Sequence, residues 1–406
     1  MIRYNHYFLF LTFLVALSSC KKKDAPVLEI TSISSEVQMI SYSVEVEYEG
    51  GDVQGRGICY STTNEVPNVL DDEIASAGDD NGSWEATVDG FQTSTTYYIR
   101  AYMTTGTGTD YSQAVAVTLD PAWVNMGLIV SNEILSISVV DENTVHAGTS
   151  WGEYASTIDG GENWTVTEMT TSSDIENIHF VNSMLGFQTE FNTTYRKTVD
   201  GGQNWTSNLT GGAGHGSGIF FLDENTGFIS REYSGQVAKT VDGGTNWTIA
   251  EITIDSGDKL EDIHFPGASA GYVVSNNGQV FKSTDLGESW TLQNSSPIGA
   301  NCIAIHFTTE TSGFVISGNS IYMTSDGGGN WTSVYVASDL LMDVHFVNES
   351  VGVACGENGT LLRTDDGGNS WEKLPTTMGN YTIYQVEMAT PDIGYASSYG
   401  RILKYH

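Results

Sequence analysis

Six near-copies of one nine-residue segment constrain this chain more than anything else in it. They read STIDGGENW (156–164), KTVDGGQNW (197–205), KTVDGGTNW (239–247), KSTDLGESW (282–290), MTSDGGGNW (323–331) and RTDDGGNSW (363–371). Their tryptophans, Trp164, Trp205, Trp247, Trp290, Trp331 and Trp371, are spaced 41, 42, 43, 41 and 40 residues apart. A fixed period near 40 requires a repeat architecture in which each unit buries its apolar face only against its neighbours.

Within each repeat the order of segments is constant. An apolar run comes first (NIHFV, GIFFL, DIHFP, AIHFT, DVHFV) and a second follows (LGFQTE, TGFISR, AGYVVS, SGFVIS, VGVACG). A third leads into the nine-residue segment, and its Trp opens the fourth. The segments are rich in Val, Ile, Thr and Tyr, are broken by Gly, Asn and Asp, and show no long amphipathic helix pattern. Four short antiparallel strands per repeat make one propeller blade, so the expected fold class is all-β. The C-terminus, VEMATPDIGYASSYGRILKYH, supplies three strands of a seventh repeat and stops before any DGG or Trp. Residues 121–406 begin PAWVNMGL, with Trp123 where the other repeats place the Trp of their fourth strand. The first segment is therefore expected to complete the last blade, closing a seven-bladed ring with no open sheet edge.

The nine-residue segment resembles the Asp-box, or BNR repeat, with pattern Ser/Thr-x-Asp-x-Gly-x-x-Trp. Its chemistry reads as structural. Asp159, Asp200, Asp242, Asp285, Asp326 and Asp366 are placed to accept hydrogen bonds from backbone N–H groups of their own turns. The Trp then packs under the hairpin. Residues 121–406 as a whole resemble the photosystem II assembly factor-like propellers, whose blade reads strand, Asn-x-x-Gly-Phe, strand, Lys-Thr-x-Asp-Gly-Gly-x-x-Trp. That resemblance implies client binding through basic residues. The arginines available here are Arg196, Arg231, Arg363 and Arg401. Asp-boxes also occur in sialidases, which need three converging arginines. Only Arg231 stands clear of the repeated third segment, so no such triad assembles. An endoglucanase-type pair of carboxylates stays open among so many acids.

The N-terminus reads as an export signal. Arg3 precedes the ten-residue apolar core FLFLTFLVAL (8–17), too short for an ordinary membrane span. It runs into Leu17-Ser18-Ser19-Cys20, which resembles a bacterial lipobox, and Lys21-Lys22-Lys23-Asp24 resembles the tethers of Bacteroidetes lipoproteins. The resemblance implies a signal peptide over 1–19 and a lipidated Cys20 with linker over 20–25. It also implies an outer-membrane location, at the cell surface or on the periplasmic face. Cys59, Cys302 and Cys355 then remain, an odd number without CxxC spacing; they read as buried thiols, with a Cys302–Cys355 pair as the alternative.

Residues 26–120 lack the repeat. Alternating segments such as SVEVEYEG, GRGICYST and TYYIRAYMTT have the density of a β-sandwich. With SWEATVDGF and FQTSTTYYIRAY they resemble a fibronectin type III domain. In this resemblance Tyr97 is the tyrosine-corner residue, and the module is a spacer.

With 50 Asp and Glu against 16 Lys and Arg, the chain carries net charge −34, which disfavours nucleic-acid partners. His179, His264, His306 and His345 share one position in the first strands, with Phe220 and Glu387 in the same slot elsewhere. That reads as packing, and neither a metal nor a cofactor is expected. Function is sought where the repeats differ. Trp151, Tyr154, Phe191, Arg231, Tyr233 and Tyr399 fall in or beside second-to-third-strand loops of blades seven, one, two and three. Glu176, Asn177, Glu261, Asp262, Asp343 and Gln385 begin first strands near the channel mouth. Aromatics beside carboxylates suit sugar rings or extended peptides. The expectation is an envelope-anchored binding protein for glycan or protein ligands, with an envelope assembly or scaffold factor and a glycoside hydrolase as alternatives.

Overall fold

The computed structural model describes residues 25–36, 38–50, 52–169, 173–190, 194–211, 214–294, 298–299, 301–376 and 378–406. The expected signal peptide with Cys20, and Phe191, lie outside the described residues. The chain divides into two compact units, Met1–Ala122 and Trp123–His406.

The first unit holds two antiparallel sheets. Val27–Glu36, Met39–Glu47 and Trp84–Asp89 form one, with Met39–Glu47 central. Glu73–Gly78, Gly55–Ser61, Thr96–Thr105 and Gly108–Tyr111 form the other, and Val115–Thr118 also pairs with Thr96–Thr105. One core of Tyr42, Ile58, Trp84, Phe91, Tyr97 and Ile99 joins them. The Tyr97 hydroxyl accepts the Gln92 N–H at 3.0 Å, tying the strand to the turn before it. Cys59 is buried and free.

The second unit is a ring of seven blades. Blades two to six are separate four-stranded antiparallel sheets whose first strands are Ile175–Phe180, Gly216–Phe221, Leu260–Gly267, Cys302–Phe307 and Leu341–Phe346. Blade one uses the end of the long strand Trp123–Val139, followed by Val145–Thr149, Glu153–Thr157 and Thr165–Glu168. The first strands pack side by side around the ring, the seventh (Ile383–Thr390) against the first.

Blade seven is completed as the sequence predicts. The strand Ile393–Tyr405 pairs with the start of Trp123–Val139 in the register Tyr405↔Trp123, Lys404↔Val124 and Leu403↔Asn125. Trp123 packs against Tyr405 at one end of that strand, and a Cβ on Gly394 at the other end would lie 3.2 Å from the Trp123 ring. A strand of this length is about 40 Å when straight. It must therefore double back, which it does at Gly400, whose φ is 64°.

Ring stacking joins the blades and explains two repeated sequence features. The Phe ending each His-Phe or Phe-Phe pair stacks on an aromatic of the preceding blade: His146–Phe180, Phe187–Phe221, Phe228–Phe265, Tyr272–Phe307 and Phe314–Phe346. The Gly opening each second strand leaves room for that Phe; a Cβ on Gly186 would come within 2.6 Å of the Phe180 ring. The box Trp then lies edge-on to the Phe, as Trp205 does to Phe180 at 5.9 Å and 89°.

The boxes are closed hydrogen-bond circuits. Asp159 accepts the Thr157 hydroxyl (2.8 Å), the Asn163 backbone N–H (2.9 Å) and the Asn163 amide (2.8 Å), while Thr157 accepts the Gly161 N–H (3.1 Å). The Asn163 bonds, then the Thr157 hydroxyl, hold the Asp159 carboxyl down to about 2. In the fourth-blade box Ser289 does the same for Asp285. The circuit accounts for the Thr or Ser two residues before the Asp and the Asn or Ser four residues after it. Cys302 and Cys355 are buried and unpaired.

Candidate ligand-binding face

In a four-stranded antiparallel blade, the second-to-third loops and the links between blades emerge at one end. The first-to-second loops and the box turns emerge at the other. Backbone hydrogen bonds fix the boxes there: the Gly160 N–H donates to Asn143 O and the Gly367 N–H to Ser350 O, both in first-to-second loops. The six boxes thus lie on the far face from the loops that vary.

The channel wall is polar but occupied. Asp262 accepts the Ile263 N–H (2.7 Å) and the Ile305 N–H of the next blade (2.9 Å). Asp343 does the same with Val344 (2.8 Å) and Val386 (3.0 Å). Gln385 and Glu387 accept from Ile137 and Val139 of blade one, and His264 and His345 from Phe307 and Met388. These side chains lace each first strand to the next. Burial raises the carboxyls, Asp262 to about 7, Asp343 to about 6 and Glu387 to about 8. Burial also depresses the channel imidazoles, His179 and His345 to about 4 and His264 to about 3. At neutral pH these imidazoles are uncharged spacers, and no group of three or more His, Cys, Asp or Glu among the described residues is arranged to hold a metal.

Above the channel, every first strand carries a β-bulge at its loop-face end. One extra residue stands opposite no partner, which turns its side chain aside from the regular alternation. On blades two, three and four the bulged residues are Glu176, Ser217 and Glu261. On blades five, six, seven and one they are Ile303, Met342, Tyr384 and Leu135. All are half-buried. The rim is thus polar and acidic on one side and apolar on the other. Of these, Glu176 and Glu261 are also singled out by the sequence. The signal for the rest is a pair of residues between the buried start of each first strand and its Ile or Val, as in Glu261-Asp262 and Met342-Asp343, the first of the pair being the bulged one.

The acidic side is a connected cluster. Lys259 bridges Glu232 (3.1 Å) and Glu261 (3.0 Å), and its ammonium lies 6.0 Å from the Tyr233 ring centroid. The Asn276 amide also donates to Glu261. Glu176 is pushed above the usual carboxylate range by burial, then by Asp174 and Glu232. Asp174 in turn accepts the Trp151 N–H at 2.9 Å.

Trp151 and Tyr233 are 68% and 67% exposed, at φ of 70° and 55°. A bulky side chain at positive φ is strained. Blade six places Asn358 and then Gly359 in the corresponding loop, and blade five uses Gly318. Tyr399 is also exposed, beside the turn at Gly400.

Two sequence candidates do not reach this face. Tyr154 is buried. Its hydroxyl donates to Gly201 O of the next blade (3.2 Å) and lies 2.7 Å from His146 Nδ1. It aligns with Tyr195, Val237 and Leu361, all buried third-strand positions. Arg231 is 1% exposed and spends its guanidinium on the carbonyls of Gly211 and Gly214, shaping a loop from beneath. Asp262 and Asp343 lie in the channel wall, each already holding two backbone N–H groups.

Comparison with known proteins bears on the second unit. The sequence model of the family described as photosynthesis system II assembly factor YCF48 matches residues 213–339. Among curated proteins no relative matches. Two solved structures of YCF48 resemble the chain. One is bound to a D1 peptide (19% identity, TM-score 0.60, 70% of this chain and 96% of that one). The other is from Cyanidioschyzon merolae (20% identity, TM-score 0.60, 70% and 98%). The WD40 β-propeller domain of Doa1 is similar at 10% identity with TM-score 0.58, over 70% of this chain and 97% of that one. At these identities the likeness shows the fold, a YCF48-like β-propeller of the BNR/WD40 type.

Proposed function

We propose that the propeller is a binding module for protein ligands, serving the assembly or retention of envelope proteins, and that Cys20 carries the lipid that anchors it. One observation carries the binding reading: two large aromatics, Trp151 and Tyr233, stand exposed at positive φ on the variable face. Among the described residues, the corresponding loops of blades four to seven place Gly or Asn at positive φ. Strain of about 1–3 kcal/mol at a bulky residue persists where the side chain is needed. A protein ligand is favoured over a glycan because the family match lies in the propeller and a protein of the same fold is bound to a peptide. The channel carboxyls are committed to backbone N–H groups, which supports binding over hydrolysis. The anchor, and the fibronectin type III character of the first unit as a spacer, are part of the same proposal. They rest on the Leu17–Cys20 motif and on Tyr97 with its bond to Gln92.

The test substitutes Trp151→Ala and Tyr233→Ala together, with Phe191→Ala added in a second variant. Binding is scored on a glycan array and by quantitative pull-down from outer-membrane extracts. Loss of ligand with an unchanged melting temperature supports the proposal. Capture equal to that of the unaltered protein overturns it, and ligand found only on the glycan array replaces protein with glycan.

A further inference from the structure

We infer that the divided rim selects a peptide segment that pairs basic side chains with apolar ones. This rests on the binding face proposed above and names what that face accepts.

The rim sets Glu176 and Glu261, with Asp174 and Glu232 beside them, across the channel mouth from Ile303, Met342 and Tyr384. The acidic side is not balanced. Lys259 is shared between Glu232 and Glu261. Glu176 has neither an ion pair nor a hydrogen bond among the described contacts; it is half-buried, and burial, Asp174 and Glu232 outweigh the more distant help of His215 and Lys259. Such a carboxylate gains most from a partner that brings its own positive charge, because one cation relieves both its desolvation and its repulsion. A ligand ammonium or guanidinium at Glu176 supplies that.

The flanking residues fit the same ligand. Trp151 and Tyr233 belong to blades one and three, on either side of the blade that carries Glu176. Exposed aromatic faces beside carboxylates attract cations and cover the aliphatic stem of a Lys or Arg. The opposite side, Ile303, Met342 and Tyr384, offers no charge and admits aliphatic or aromatic side chains. Met supplies the adaptable surface common where sequence-varied segments bind. A sugar would leave Ile303 and Met342 without complementary groups, and an acidic peptide would meet like charges. The features span several successive blades, the reach of an extended segment rather than of one side chain.

The probe is a fluorescein-labelled twelve-residue peptide of interspersed Lys, Leu and Ser, titrated by anisotropy at low and high salt. Its comparators are the same peptide with acetylated lysines and one with Leu replaced by Ser. We expect both comparators to bind at least about tenfold more weakly. Glu176→Lys should cost about tenfold or more, and Met342→Gln should weaken binding with its salt dependence unchanged. Glu29→Gln with Glu45→Gln, on the first unit, controls for the protein's general acidity and should leave affinity unaltered. No binding of the lysine peptide, equal binding of the acetylated one, or a control variant as damaging as Glu176→Lys overturns the inference. If native ligand is still lost in the Trp151→Ala/Tyr233→Ala protein, the binding face stands and only the ligand class falls. If that variant too is without effect, both fall.

Discussion

Trp123 and Tyr405 lie side by side, ring centroids 5.4 Å apart, although one opens the propeller and the other is its penultimate residue. Trp123 is completely buried, among Leu361, Ile383, Ala396 and Leu403. Replacing it with Ala leaves a large cavity at the seam, a loss of about 3–5 kcal/mol. Trp123→Ala should lower the denaturant midpoint of the propeller. A midpoint within error of the original would mean that the seam contributes little to closure.

Tyr154 gives a second test, because it ties blade one to blade two from a buried position. If its hydroxyl donates to Gly201 O, His146 Nδ1 must donate back to it. Tyr154→Phe removes both bonds and leaves buried groups unpaired, at about 1–3 kcal/mol. Equilibrium unfolding should register this while ligand capture stays intact.

Trp151 is expected to trade stability for function. Trp151→Asn copies the turn of Asn358 in blade six, keeps the backbone N–H bonded to Asp174, and relieves the positive φ. The gain should be about 1 kcal/mol. We expect a more stable protein that captures less ligand. A destabilised variant would show that the ring packs where the structure exposes it.

Acid should loosen the boxes. Hydrogen bonds hold Asp159 and Asp285 at about 2, below the ordinary 3.8. A carboxyl lowered on folding stabilises above its unfolded value, and that contribution is lost as pH falls toward the folded one. Urea midpoints measured from pH 5 to 2 should therefore fall, with the steepest loss below about pH 4. Asp285→Asn should flatten this window.

Glu387 behaves in the opposite sense. Burial lifts it from 4.5 to about 8, so its protonated form suits the channel and its contribution is complete below the unfolded value. It is lost as pH rises through the folded one. Glu387→Gln keeps an acceptor for the Val139 N–H, as Gln385 already does for Ile137. The variant should melt higher than the parent at pH 8 and close to it at pH 4.5. Equal melting at both would place the Glu387 carboxylate in water.

Blade count and closure could be read in advance because both follow from covalent periodicity. Six boxes in register and Trp123 at the seventh place leave one arrangement. The rim could not be read that way. A bulge is an extra residue relative to a partner strand, and pairing register is a property of two segments rather than one. The misplacement of Tyr154 has a plainer cause. Considered alone it adjoins a variable loop, but set against YRKT, VAKT and LLRT, its segment YAST puts it on a buried column. Arg231 misled because an arginine on a strand end reads as available charge, whereas two backbone carbonyls already claim it.

The seam between Trp123 and Tyr405 also sets a timetable. A chain made from its N-terminus presents Trp123 long before its pairing strand exists. Until residues 401–405 arrive, blade seven lacks the strand that Trp123 must pair with, and the ring stays open. Arrival of the segment that pairs with Trp123, rather than the appearance of any one blade, is then the event that locks the propeller. Chains arrested just short of Ile402 should remain as protease-sensitive as the nascent polypeptide.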